Sequence, residues 1–134
     1  MQIYYKIKQI ITKQFAFFPD KYVNGEGVAV KAEFEFKVHS SLMSIVCVSK
    51  FSFSQREDLL LTSEVWNEFA ISPEGFLQLQ EQRKVSVDFL QYLATISTGT
   101  SRGIIHAKTE GTVLNAIVLP PINLKEIIKN DLYI

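Results

Sequence analysis

His39 and His106 are the only histidines of the chain, and Cys47 is its only cysteine. A metal site would need carboxylates converging on them at ligand spacing, and neither histidine has such a neighbourhood. Both read as ordinary surface histidines, with no metal bound. Cys47 alternates with Met43, Ile45 and Phe51 along an apolar strand face, the place of a small buried hydrophobe. A catalytic thiol needs a histidine at hand and some exposure. A lone cysteine also excludes an intramolecular disulfide and a cysteine zinc site. Gly25-Glu26-Gly27 and Gly99-Thr100-Ser101-Arg102-Gly103 have the glycine content of phosphate loops. The second lacks the Lys-Ser/Thr pair of a P-loop and follows no strand. Glu33 and Glu35 share a strand face with Lys31 and Lys37, the pattern of a solvated surface rather than an acid–base pair. These residues predict no catalytic site and no cofactor.

Apolar surface is what remains. Val113, Leu114, Ala116, Ile117, Val118 and Leu119 follow one another with almost no charge and stop at Pro120-Pro121. One reading has them cap the end of the core. The functional reading is a groove between loop, helices and sheet that accepts extended apolar peptide. Main-chain bonds and apolar pockets suit that task without demanding a particular guest sequence.

The elements that would position such a groove follow from periodicity. From Ile3 to Phe17 the odd positions Ile3, Tyr5, Ile7, Ile11, Phe15 and Phe17 are apolar, which predicts one strand. Pro19-Asp20 and Asn24-Gly25-Glu26-Gly27 carry turn and loop chemistry. Val28 to His39 alternates cleanly and predicts a half-buried strand. Ser40-Ser41 connects it to a third strand, Leu42 to Phe53, apolar on both faces near Val46 and Val48. After the turn Gln55-Arg56-Glu57-Asp58, Leu59, Leu61, Val65, Phe69 and Ile71 predict a fourth strand. Short connections predict an antiparallel meander.

Beyond Pro73 the period changes. Ser86 is a good N-cap, and Phe89, Leu93, Ile96, Thr100, Ile104 and Ala107 predict a helix over Val87 to Lys108, ended by Gly111. Its middle is all small residues, Ala94 to Gly103, which predicts a close approach by another backbone. Leu124 to Leu132 predicts a short amphipathic helix opened by an Asn123-x-x-Glu126 capping box. The expected fold is α+β, a four-stranded antiparallel sheet followed by a long helix, a connecting loop and a short C-terminal helix.

Composition bounds the partners. The 134 residues make one domain, 1–134, with room for an ordinary core. The balance of 14 basic and 14 acidic residues gives no global attraction for nucleic acid. Ten phenylalanines are many for a small isolated domain to hide, which favours a protein partner. Lysines interrupt the start, Met1-Gln2-Ile3-Tyr4-Tyr5-Lys6, and no window reaches the length of a membrane span. The expectation is a cytoplasmic protein without a secretory leader.

The segment from Gly111 to Leu124, with its Gly-Thr, its apolar stretch and its Pro121-Ile122-Asn123-Leu124 ending, resembles the helix-connecting segment of SecB-type export chaperones. The element order is similar as well. The resemblance implies an ATP-independent holdase that binds unfolded preproteins and hands them to the export motor SecA. It implies a homo-oligomer, dimer or tetramer, with close helix contacts at Ala94, Ser97, Thr98 and Ser101. It implies a client groove formed by Val30, Ala32 and Phe34, by Val113, Leu114, Ile117, Val118, Leu119 and Ile122, and by Ile127 and Ile128. The zero net charge and the absence of an acidic tail beyond Ile134 differ from that family. A dedicated chaperone for one partner, such as an antitoxin, is therefore the second expectation. The third is an enzyme holding a small apolar ligand in the sheet–helix cleft.

Overall fold

Alternation along the chain builds the sheet. The computed structural model describes residues 3–134; Met1 and Gln2, the start of the segment read for a leader, lie outside them. The strands are β1 (Tyr5–Phe17), β2 (Ala29–His39), β3 (Ser44–Gln55) and β4 (Asp58–Ile71), followed by helix α1 (Pro73–Gln82) and strand β5 (Lys84–Val85). Then come the long helix α2 (Val87–Thr109), the single-turn α3 (Leu124–Ile127) and strand β6 (Leu132–Tyr133). The fold is mixed α+β, a four-stranded antiparallel sheet followed by a long helix and short ones.

The sheet order is β1-β4-β3-β2, so β2, β3 and β4 form the expected meander, and β1 departs from it by pairing with β4 instead of β2. Residues 18–28 are too long for a tight hairpin, and they carry the chain across to the far edge. The Gln55 side chain holds that crossing: its amide bonds the Val23 carbonyl (2.8 Å) and the Glu26 carbonyl (3.2 Å), and its oxygen accepts the Val23 N–H (2.8 Å). Gly25 sits there at φ +86°, and Arg56 pairs with Glu26. Gly25-Glu26-Gly27 is thus a structural turn.

Bulges decide which apolar residues face the helix. The β1–β4 register shifts between Ile7 and Gln9, and again between Thr12 and Gln14. Each shift inserts one residue and switches the face. Ile10 therefore lies opposite Asn67, on the helix side, while Ile11 lies opposite Trp66 on the other face. The expected odd-numbered stripe holds at Tyr5, Ile7, Phe15 and Phe17 and fails at Ile11. A third bulge, at Phe53/Ser54, pairs Ser54 with Leu59. Leu60 is buried in consequence, and Leu59, expected in the core, is exposed. On the far face Val46 and Val48 are buried, Val48 opposite Trp66 and Val46 opposite Glu68. Lys13 and Lys37 stand 4.6 and 5.3 Å from the Trp66 ring.

Helix α2 covers the near face. Ser86 caps it, its oxygen accepting the Phe89 N–H at 3.3 Å. Its buried stripe is Leu90, Leu93, Ala94, Ser97, Thr98, Ser101, Ile105 and Thr109. The helix is therefore rotated from the expected face, with Leu93 common to both stripes. The small residues bring α2 close to its own sheet: Ala94, Ser97, Thr98 and Ser101, expected between protomers, are buried within this chain. The hydroxyls of Ser97 and Thr98 turn back onto the helix, to the carbonyls of Leu93 (3.0 Å) and Ala94 (2.7 Å).

This seam divides the core. One cluster holds Ile45, Cys47, Phe69, Ile71, Phe76, Leu79 and Leu93, the other Phe51, Phe53, Leu60, Leu61 and Ile105. Between them lie the buried Ser49, Ser63, Asn67, Ser97 and Ser101. Ser63 Oγ, Asn67 Oδ1 and Ser101 Oγ have no partner among the described residues.

Helix α1, which periodicity did not predict, supplies Phe76 and Leu79 to the first cluster. Ser72 caps it through the Gly75 N–H, and Pro73 opens it. The expected final helix is one turn, without a side-chain bond from Asn123, and the chain then leaves it to pair β6 with β5. Asp131 fixes this ending. Its Oδ1 accepts the Val87 N–H at 2.8 Å and its Oδ2 meets Lys84 Nζ at 3.2 Å.

The Val87 N–H, with help from Lys84, holds the Asp131 carboxyl below the usual carboxylate range. A depressed folded pKa stabilises the folded chain above the unfolded pKa, near 3.9, and that stabilisation is lost as pH falls through the folded value. Docking of β6 is therefore expected to loosen in acid below pH ~4. Asp131→Asn is expected to loosen it already at neutral pH and to flatten the acid dependence. Hydrogen exchange at the Ile134 amide, which donates to the Arg83 carbonyl at 3.0 Å, reads both effects.

Candidate functional site

The apolar segment after α2 is held by polar staples, and these decide which of its side chains turn inward. Thr112 Oγ1 donates to the Thr109 carbonyl (2.8 Å) and accepts the Leu114 N–H (3.2 Å). The Asn115 amide donates to the His106 carbonyl (2.9 Å) and to Thr109 Oγ1 (3.2 Å). Val113–Ala116 forms a 3-10 turn between these bonds. Further on, Arg102 of α2 donates to the carbonyls of Leu119 (Nε, 3.0 Å) and Pro120 (3.2 Å). These bonds satisfy carbonyls that an irregular chain would otherwise leave bare.

Leu114 and Leu119 point inward and join Phe51, Phe53 and Ile105 in the second cluster. Both were expected in a groove; both are core. Ile128, also expected there, is buried in the first cluster instead. Val30, Ala32, Phe34, Ile117 and Ile122 are half-buried and pack on the second cluster. Phe34 meets Phe51 edge-to-face at 5.8 Å. Val113, Val118 and Ile127 are exposed. The structure thus brings the β2 residues together with Leu114, Ile117, Leu119 and Ile122, and places Ile128 in the first cluster, on which Phe34 also packs.

A hollow of about 400 Å³ opens beside this segment. Its walls are Gly99, Arg102, Gly103 and His106 of α2 and Ile117 and Val118 of the segment, with Ile105 and Leu119 at its base. Periodicity gave no sign of it, since α2 was expected to turn a different face outward. The signal that could have found it is the pair Gly99 and Gly103, four apart in a helix that has no need of glycine. A second hollow, about 320 Å³, lies at the β1–β4 end beside Tyr4, Tyr5 and Pro73.

The residues with chemical potential stay apart from the larger hollow, His106 excepted. His39 is exposed at the end of β2. His106 Nε2 is 3.9 Å from Glu110 on the exposed end of α2. Among the described residues no three His, Cys, Asp or Glu side chains are placed to hold a metal ion. Cys47 is buried, and that burial pushes its thiol pKa up, away from the thiolate. Glu33 pairs with Lys31 at 2.9 Å and Glu35 with Lys37 at 3.6 Å on the exposed face of β2. The Lys31 hydrogen bond holds the Glu33 carboxyl below its usual range. No described helix is long and apolar enough to cross a membrane. No family model matches the chain, and no curated protein matches it.

Proposed function

We propose that the protein is a SecB-like, ATP-independent chaperone that holds extended apolar segments of unfolded chains, export precursors among them. The observation that carries this is the hollow of about 400 Å³ beside Ile117 and Val118, on a segment that keeps Val113 and Val118 in solvent. Apolar side chains left outside a core in which their neighbours are fully buried are available to a guest. No chemical step is part of this role, and the cytoplasm is the compartment that suits it.

Magnitudes set the form of binding. Burying one Val, Leu or Phe side chain contributes about 1.5–3 kcal/mol. A single anchor therefore holds a floppy chain weakly, and several sites acting together hold it well. An assembly of identical copies supplies those sites. It would use a surface the protomer leaves open, since Ala94, Ser97, Thr98 and Ser101 are buried. The edge of β1 is one, with Ile7 and Ile10 exposed and, among the described residues, no strand beyond it.

The second reading is a dedicated chaperone for one partner, such as an antitoxin. The burial of Leu114, Leu119 and Ile128 favours it, because the shortened site suits one fixed motif.

The test is suppression of aggregation of a reduced, unfolded client, with complex size measured in the same samples. A general holdase delays aggregation and co-elutes with several clients. Binding to one partner alone selects the second reading. No delay and no co-elution with any client contradicts both.

A further inference from the structure

We infer that the polar seam between α2 and the sheet binds a pair of ordered waters, one bridging Asn67 Oδ1 to Ser101 Oγ and the next bridging Ser101 Oγ to Ser63 Oγ. The site lies inside the protomer and is independent of the chaperone reading.

Unpaired atoms make the first argument. Ser63, Asn67 and Ser101 are no more than 1 % exposed, and Ser63 Oγ, Asn67 Oδ1 and Ser101 Oγ have no partner among the described residues. A buried polar atom without a partner carries its full desolvation penalty, and ordered water is the usual relief. Ser101 is also an exception on its helix. Thr95, Ser97, Thr98, Thr100 and Thr109 each donate to the carbonyl four residues back, and Ser101 does not. Its hydroxyl is left for a partner outside the helix. The Asn67 amide donates to Thr100 Oγ1 at 3.3 Å, which holds the Asn67 side chain beside the turn that carries Ser101.

Spacing makes the second argument. Ser97 meets the Cys47 thiol, and Cys47 lies opposite Asn67. Ile105 packs in one cluster with Phe51, and Phe51 lies opposite Ser63. Ser101, midway between Ser97 and Ile105 on α2, therefore stands between Asn67 and Ser63. Those two are four residues apart on β4, which is about 13 Å. Two waters and the Ser101 hydroxyl make four hydrogen bonds of about 2.8 Å, a span of about 11 Å. Val65, between them on the strand, is fully buried yet belongs to neither apolar cluster, and the residue opposite it is Ser49.

Chemistry makes the third. The buried polar residues of the seam are serines and one asparagine, with no charged side chain among them. An ion would meet no countercharge there. Asn67 Oδ1 only accepts and the serine hydroxyls both donate and accept, so water, with two donors and two lone pairs, satisfies all three atoms.

The experiment is oxygen-17 relaxation dispersion of water on the full chain, whose amplitude counts the waters held inside a protein. The wild type is expected to show long-lived waters. A buried water needs two or more polar partners, and Ser101→Ala leaves each seam water with one. That variant is expected to lose both, with an unchanged circular dichroism spectrum. Ser63→Ala removes a partner from the second water alone and is expected to lose that one. If Ser101→Ala fails to fold, Ser63→Ala decides. A wild type without long-lived water, or folded variants that keep the full wild-type amplitude, overturns the inference.

Discussion

Leu119→Ala is expected to destabilise the protein by about 2–5 kcal/mol, while Val118→Ala changes stability by no more than ~0.5 kcal/mol. The two residues are adjacent and both are branched hydrophobes. Leu119 is 2 % exposed and closes the second cluster against Phe51, Phe53 and Ile105, whereas Val118 is 66 % exposed. Truncating Leu119 removes apolar burial and leaves a cavity whose walls are tied in place by Arg102. Truncating Val118 removes surface that water already reaches. Urea unfolding reads the difference as a lowered midpoint at constant slope for Leu119→Ala only. The functional order is reversed: Val118→Ala, not a conservative core change such as Leu119→Met, weakens client binding. Equal stability losses for the two alanine variants would mean that the segment does not divide into core and surface as described.

Phe69→Ala is expected to cost about 3–5 kcal/mol, a large share of the roughly 5–15 kcal/mol by which domains are stable. Phe69 is fully buried in β4, in the first cluster, and meets Tyr5 edge-to-face at 5.9 Å. It joins an edge strand, a central strand and the helix layer in one contact. Phe36→Ala on edge strand β2 is the control, since Phe36 is only half-buried against the same cluster, and its loss is expected to be smaller. The seam of Ser49, Ser63, Asn67, Ser97 and Ser101 lies between the clusters. Phe69→Ala and Leu119→Ala are therefore expected to add within about 0.5 kcal/mol in the double variant. Thermal and urea unfolding of the single and double variants check both points.

Period-two alternation was enough to find β2, β3 and β4, because each has one regular face against the core and few interruptions. Ser86 and the three-to-four spacing were enough to find α2. The facing of β1 was not legible, since lysines at its two bulges look like ordinary polar positions, yet the first bulge moves both Ile10 and Ile11 to the opposite face and the second restores the register for Phe15 and Phe17. The orientation of α2 was misread for a related reason. Hydrophobicity favours Phe89, Ile96 and Ile104 as the buried stripe, but closeness to a sheet favours small side chains, and the small stripe won. Helix α1 had legible signals in Ser72, Pro73 and Glu74, although its apolar residues are too few for a strong period. In the candidate site, the apolar character of 113–119 was plain, and its division was not. Which residues turn inward along an irregular segment is set by the bonds of Thr112, Asn115 and Arg102 to distant carbonyls, and no local pattern encodes them.

Methyl-resolved NMR of the full chain, titrated with a reduced, unfolded client, tests most directly whether the exposed connecting segment receives polypeptide. The account predicts shifts and broadening confined to the methyls of Val113, Ile117 and Val118, with Ile45, Leu93 and Leu114 unmoved in the core. Signals that stay fixed at saturating client, or that move only at residues remote from the hollow, would contradict it.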